Sequence, residues 1–65
     1  MYALRYEDGT LRQANGSEQV MSLLDAACLK MLKVEVFTRD EELCGGAARS
    51  DDGLWWQWWF AWRVS

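Results

Sequence analysis

All five tryptophans of the chain fall between residues 55 and 62, within LWWQWWFAWRV, and this clustering restricts the fold more than any other feature. Coiled as a helix, the segment would gather Trp55, Trp58, Trp59 and Trp62 on one face. Arg63 would then intrude on that face, and Phe60 and Val64 would fall outside it. Extended as a strand, it places Leu54, Trp56, Trp58, Phe60, Trp62 and Val64 on one face without exception. Aromatic enrichment also favours β structure. The segment is therefore expected to be a strand. Its even face should be core, with Trp55, Gln57, Trp59, Ala61 and Arg63 on the other.

The remainder must supply the partners for that strand. Tyr2, Leu4 and Tyr6 alternate with Ala3, Arg5 and Glu7, the period of a half-buried strand. Asp8-Gly9 suits a two-residue type I′ turn, after which Thr10–Ala14 would return with Tyr6 facing Leu11 and Arg5 facing Arg12. Asn15-Gly16-Ser17 is a break, and Asn15 with Glu18 approximates a capping box. From about Ser17 to Leu32 a helical period gathers Val20, Met21, Leu23, Leu24, Ala27, Cys28, Met31 and Leu32 on one side. Val34 to Arg39 reads as a third strand. Residues 40–53 (DEELCGGAARSDDG) are rich in Gly and Asp without an apolar period, so a long connection is expected, which Leu43 and Cys44 would shorten if they tucked inward. The expected fold class is α+β: a small antiparallel sheet of about four strands with one amphipathic helix on one face, ordered ββαββ. At 65 residues the chain is one domain, 1–65.

Composition then narrows function. With no histidine, no Ser-His-Asp, Cys-His or His-metal constellation can be assembled, and two cysteines cannot complete a four-ligand zinc site. Cys28 is expected in the core. Cys44 is expected exposed in the loop, with nothing near it to favour a thiolate. No carboxylate pair is placed in a pocket, and Asp51-Asp52-Gly53 lacks the alternating ligand spacing of a calcium loop. A non-enzymatic protein without cofactor or metal is the expectation. Residues 1–7 carry neither a basic stretch nor an apolar run of the signal-peptide kind, and Leu54–Val64 is too short to span a bilayer, so no membrane association and a cytoplasmic setting are expected.

The net charge of −3 is unevenly placed: charges balance up to Arg39, and the whole excess lies from Asp40 onward. No cluster of Lys and Arg offers the counterion displacement of direct nucleic-acid binding. Two groups of candidate residues remain. Asp40, Glu41, Glu42, Asp51 and Asp52 flank the expected loop; if its ends meet, they form an acidic edge able to occupy a basic groove built for phosphate. The alternative for them is a solvated loop. Trp55 and Trp59 face away from the helix and offer apolar anchors to a protein partner, unless the loop covers them or bases stack on them.

Minimal length, acidic balance, absence of a catalytic constellation and a compact α/β pattern together resemble the small inhibitors with which phages and mobile elements disable host defences, in particular the anti-CRISPR inhibitors of type I systems. The resemblance covers the whole chain in character and rests on no motif. It implies stoichiometric binding to a subunit of the Cascade surveillance complex, blocking DNA recognition in the host cytoplasm. The expected partner is thus a protein with a basic surface, and the chain is expected to be a monomer or homodimer. The alternative is a structural or assembly subunit that oligomerises through the exposed aromatic face of the C-terminal strand.

Overall fold

A computed structural model describes residues 1–61, so the expectations for Trp62, Arg63 and Val64 lie outside the described residues. Six elements follow in order: β1 (Tyr2–Tyr6), β2 (Leu11–Ala14), α1 (Ser17–Leu29), β3 (Val34–Phe37), β4 (Leu43–Arg49) and β5 (Trp56–Phe60). The strands form one antiparallel sheet in the order β2-β1-β3-β4-β5. Strands β2 and β3 flank β1 and therefore run parallel to each other, and α1 makes the crossover between them. The fold is α+β as the periodicity predicts, with five strands rather than about four.

The additional strand is the principal correction. Residues 43–49, expected within a long connection, form β4, which pairs with both β3 and β5. Their lack of an apolar period has a steric cause. A Cβ on Gly45 would lie 2.9 Å from the Trp59 carbonyl oxygen and 3.0 Å from Phe60 Cδ1, and one on Gly46 would lie 2.8 Å from the Val34 carbonyl oxygen. A strand pressed this closely between its neighbours cannot carry the branched side chains that usually announce one. Cys44, expected exposed, is buried on this strand, and Leu43, expected inward, is exposed.

The first hairpin is shifted by one residue from the expected register. Gly9 N–H donates to the Tyr6 carbonyl (2.9 Å) and Tyr6 N–H to the Thr10 carbonyl (2.8 Å), and Gly9 alone in the turn has positive φ, at 92°. This is a type I turn over Glu7-Asp8 with a glycine bulge, not a type I′ turn over Asp8-Gly9. Arg5 consequently faces Leu11, not Arg12, and on its other side faces Glu35. The slip removes the like-charge pair, and across the separate β1–β3 ladder Arg5 pairs with Glu35 at 3.0 Å.

Helix α1 buries Val20, Leu24 and Ala27, the i, i+4, i+7 stripe, against Leu4, Ala14, Val34, Val36, Cys44 and Ala47 of the sheet. Each fully buried Leu or Val contributes roughly 1.5–3 kcal/mol through lost apolar exposure. The helix stops short of Leu32. Met31 takes φ 55°, its N–H bonding the Cys28 carbonyl while Leu32 N–H bonds the Ala27 carbonyl, the paired bonds of a Schellman stop. Met31 and Leu32, expected on the apolar face, are therefore exposed. At the other end Gly16 is the N-cap and no side chain caps it; Gln19 Oε1 instead accepts from Asn15 N–H at 2.9 Å. Strand β3 ends at Phe37, two residues before the expected Arg39, because Thr38 opens a turn.

Candidate protein-binding face

One helix covers one face of the sheet, and among the described residues no element covers the other. The ladder registers place Ala3 and Arg5 of β1, Leu11 and Gln13 of β2, Glu35 and Phe37 of β3, Leu43 of β4 opposite Phe37, and Trp59 of β5 on that open face. Near its middle the Arg5 guanidinium stacks on the Phe37 ring, 4.9 Å from the centroid, while pairing with Glu35. Such a cation–π contact at an exposed site is worth about 0.5–1 kcal/mol. Beside it a groove of about 650 Å³ runs between Leu11, Phe37 and Arg39.

The alternation of the C-terminal segment holds for the described residues, with one qualification. On the odd face Trp55 is 56% and Trp59 50% exposed, and Trp59 lies across Gly46, its Nε1 3.6 Å from where a Cβ would sit. On the even face Trp56 and Phe60 are half-buried, and Phe60 packs against the core. Trp58 is only partly covered, at 36% exposed, and Leu54 at 77% lies outside the core. The even face is thus half core and half rim, since β5 is the edge strand.

The acidic residues do not meet. Asp40, Glu41 and Glu42 lie in the β3–β4 turn and Asp51 and Asp52 in the β4–β5 turn, at opposite ends of β4. Seven strand residues at about 3.3 Å each separate the two turns by roughly 23 Å. The single acidic edge, which required the ends of a loop to converge, is replaced by two acidic turns with the open face between them.

The two turns differ in how free their carboxylates are. In the first, Thr38 Oγ1 accepts from Asp40 N–H and Glu42 N–H, each at 3.2 Å, so backbone and hydroxyl satisfy each other and all three acidic side chains stay exposed. Glu41 carries φ 64°, in the position Gly9 occupies in the first hairpin, with the same pair of backbone bonds around it. In the second turn Asp52 Oδ1 accepts from Ser50 Oγ (2.6 Å) and Leu54 N–H (3.1 Å), while Ser50 Oγ accepts from Trp55 N–H at 3.3 Å. The Ser50 hydroxyl, and then the Leu54 amide, hold the Asp52 carboxyl below the usual carboxylate range. Asp52 is therefore a structural residue of the turn, and Asp51 is exposed beside it.

Cys28 and Cys44 are both free thiols, and burial pushes both up, Cys28 with a further contribution from Asp25, away from thiolate reactivity. Among the described residues no cluster of His, Cys, Asp or Glu has the arrangement of a metal site, and no helix is long and apolar enough to cross a membrane. Sequence reasoning missed Leu11, Leu43 and Phe37 as members of the face. Phe37 was legible as the odd partner of Val36, but Leu11 and Leu43 depend on registers set by the bulged hairpin and by β4. Compared with known proteins, the chain matches no family model, no curated protein and no solved structure.

Proposed function

We propose that the chain is a non-enzymatic inhibitor that binds a protein through the open face of its sheet, with the two acidic turns engaging a basic, nucleic-acid-binding surface of that partner. The observation that carries this reading is the layout of the face. Trp59 and Trp55 supply half-exposed indoles, and Asp40, Glu41, Glu42 and Asp51 flank them at both ends. Apolar anchors encircled by charge are the arrangement of a protein-binding hot spot. Carboxylates spaced about 23 Å apart on a stiff sheet can contact Arg and Lys at two places along a groove that otherwise follows a phosphate backbone. Asp52 supports this surface indirectly by fixing the second turn.

DNA recognition by a type I CRISPR surveillance complex is the activity such an inhibitor would block if the resemblance in character extends to function. A band-shift of target duplex by purified Cascade tests it. The wild-type chain should suppress the shifted band at stoichiometric ratios, and a chain carrying Asp40→Lys and Glu42→Lys should not. A shift unchanged at tenfold excess of wild-type chain contradicts the reading for this partner.

A further inference from the structure

We propose that β5 pairs with β5 of a second copy, antiparallel and centred on Trp58, joining two five-stranded sheets along one edge. The inference concerns the edge of the sheet and stands apart from the inhibitor reading, because it leaves the carboxylates of both turns free. Two hydrogen bonds fix which way the β5 backbone points. Ser50 N–H donates to the Trp55 carbonyl at 2.7 Å, and Ala61 N–H donates to the Cys44 carbonyl at 2.8 Å. Residues 55, 57, 59 and 61 therefore turn their backbone groups toward β4. The N–H and C=O groups of Trp56, Trp58 and Phe60 point away from it, and among the described residues no strand lies on that side.

A two-fold axis at Trp58 sets Trp58 opposite its own copy and Trp56 opposite Phe60. Each of these is a hydrogen-bonded pair, so every outward donor and acceptor of β5 finds a partner in this register. Shifting the axis by one residue leaves some of them unpaired. The side chains agree: Trp58 meets Trp58 on the helix face, and Gln57 meets Trp59 in the closer, non-hydrogen-bonded position on the open face. No charged residue occurs from Leu54 to Ala61, so two chains of net charge −3 can approach here without repulsion in the contact. Natural edges are guarded by Lys, Pro or bulges, and β5 has none, whereas the opposite edge strand, β2, is shorter and carries Arg12. A contact made by five residues falls short of the roughly 800 Å² per partner of a standard interface, so the dissociation constant should be on the order of 10–100 μM.

Sedimentation equilibrium of the full chain, with amide exchange read by NMR, tests the pairing. Between about 5 and 500 μM the mass should rise from 7.6 kDa toward twice that value. Exchange at Trp56, Trp58 and Phe60 should slow about three- to sevenfold over the same range, following the monomer fraction, while Gln57 and Trp59, already bonded to β4, stay unchanged. Trp58→Pro, which removes an N–H that the monomer leaves unused, should abolish the dimer, and Trp58→Ala should retain it. A mass of 7.6 kDa at every concentration overturns the proposal. So does a dimer in which those three amides exchange at an unchanged rate, whether or not the proline variant folds.

Discussion

Tyr2 on β1 and Phe60 on β5 meet edge to face, their ring centroids 5.3 Å apart at an interplanar angle of 79°, although β3 and β4 lie between their strands. In a flat sheet those strands would be roughly 14 Å apart. The contact therefore requires the sheet to curl toward α1, and it depends on Gly45, over which the Phe60 ring lies. Phe60→Ala should destabilise the fold by about 2–3 kcal/mol, a half-buried aromatic with a specific partner. Gly45→Ala should cost about 1–3 kcal/mol by forcing the ring and the β5 backbone away. Urea denaturation of the two variants checks both, and an unchanged midpoint for Gly45→Ala would contradict the steric account of β4.

The two bulged hairpins make a paired comparison. Gly9 and Glu41 occupy the same left-handed position, and Met31 occupies another at the helix stop. A side chain there costs about 1–2 kcal/mol, partly offset by the extra freedom glycine has in the unfolded chain. Glu41→Gly and Met31→Gly should each raise stability by about 0.5–1 kcal/mol, and Gly9→Ala should lower it by about 1 kcal/mol. Thermal melts of the three variants decide the matter by sign alone.

Acid should loosen the second turn. The Asp52 carboxyl titrates lower in the folded chain than in the unfolded one, because the Ser50 hydroxyl and the Leu54 amide bond its charged form. The unfolded state then binds its proton first, so the stability Asp52 contributes is intact above the unfolded value of about 3.9. It is lost as pH falls through the lower folded value. Asp8 is depressed in the same direction by the Thr10 hydroxyl and amide and adds to the same limb. Asp52→Asn should lower the melting temperature at pH 7 and flatten its decline below pH 4. An acid limb as steep as wild type would contradict this role.

Asp51 and Asp52, adjacent in sequence, should separate in their effects. Asp51→Lys should weaken partner binding while leaving the melting temperature near that of wild type. Asp52→Lys should lower the melting temperature, since it removes the acceptor of two hydrogen bonds. Circular dichroism melts beside a binding titration distinguish the two, and equal effects on folding would show that the turn does not depend on Asp52.

The parts of the fold legible in the sequence are those where large and polar residues alternate against a single covering helix. Leu4, Val34 and Val36 mark their strands, Val20, Leu24 and Ala27 mark the helix, and the parity of the tryptophans places Trp55 and Trp59 opposite Trp56 and Phe60. Strand β4 was illegible because its constraint is on the absence of side chains: Gly45 and Gly46 look like loop residues until the strands on either side are in place. The hairpin register is ambiguous in sequence because Asp8-Gly9 serves two turns; the bulged one turns Ala14 into the core and takes Arg12 from opposite Arg5. The same gap hid the site's layout. Without β4 the two acidic turns have no known separation, and in place of the expected single edge stand two acidic turns about 23 Å apart at either end of β4.

Photocrosslinking tests that layout most directly. A benzoylphenylalanine placed at Leu43 reports on the open face, and one at Ser22 reports on the exposed side of α1. In cells carrying a type I surveillance complex, the Leu43 probe should yield an adduct with one protein, diminished when duplex DNA is added, and the Ser22 probe should yield none. Adducts formed from Ser22 alone, or a Leu43 adduct indifferent to DNA, would contradict binding of a nucleic-acid site through the open face.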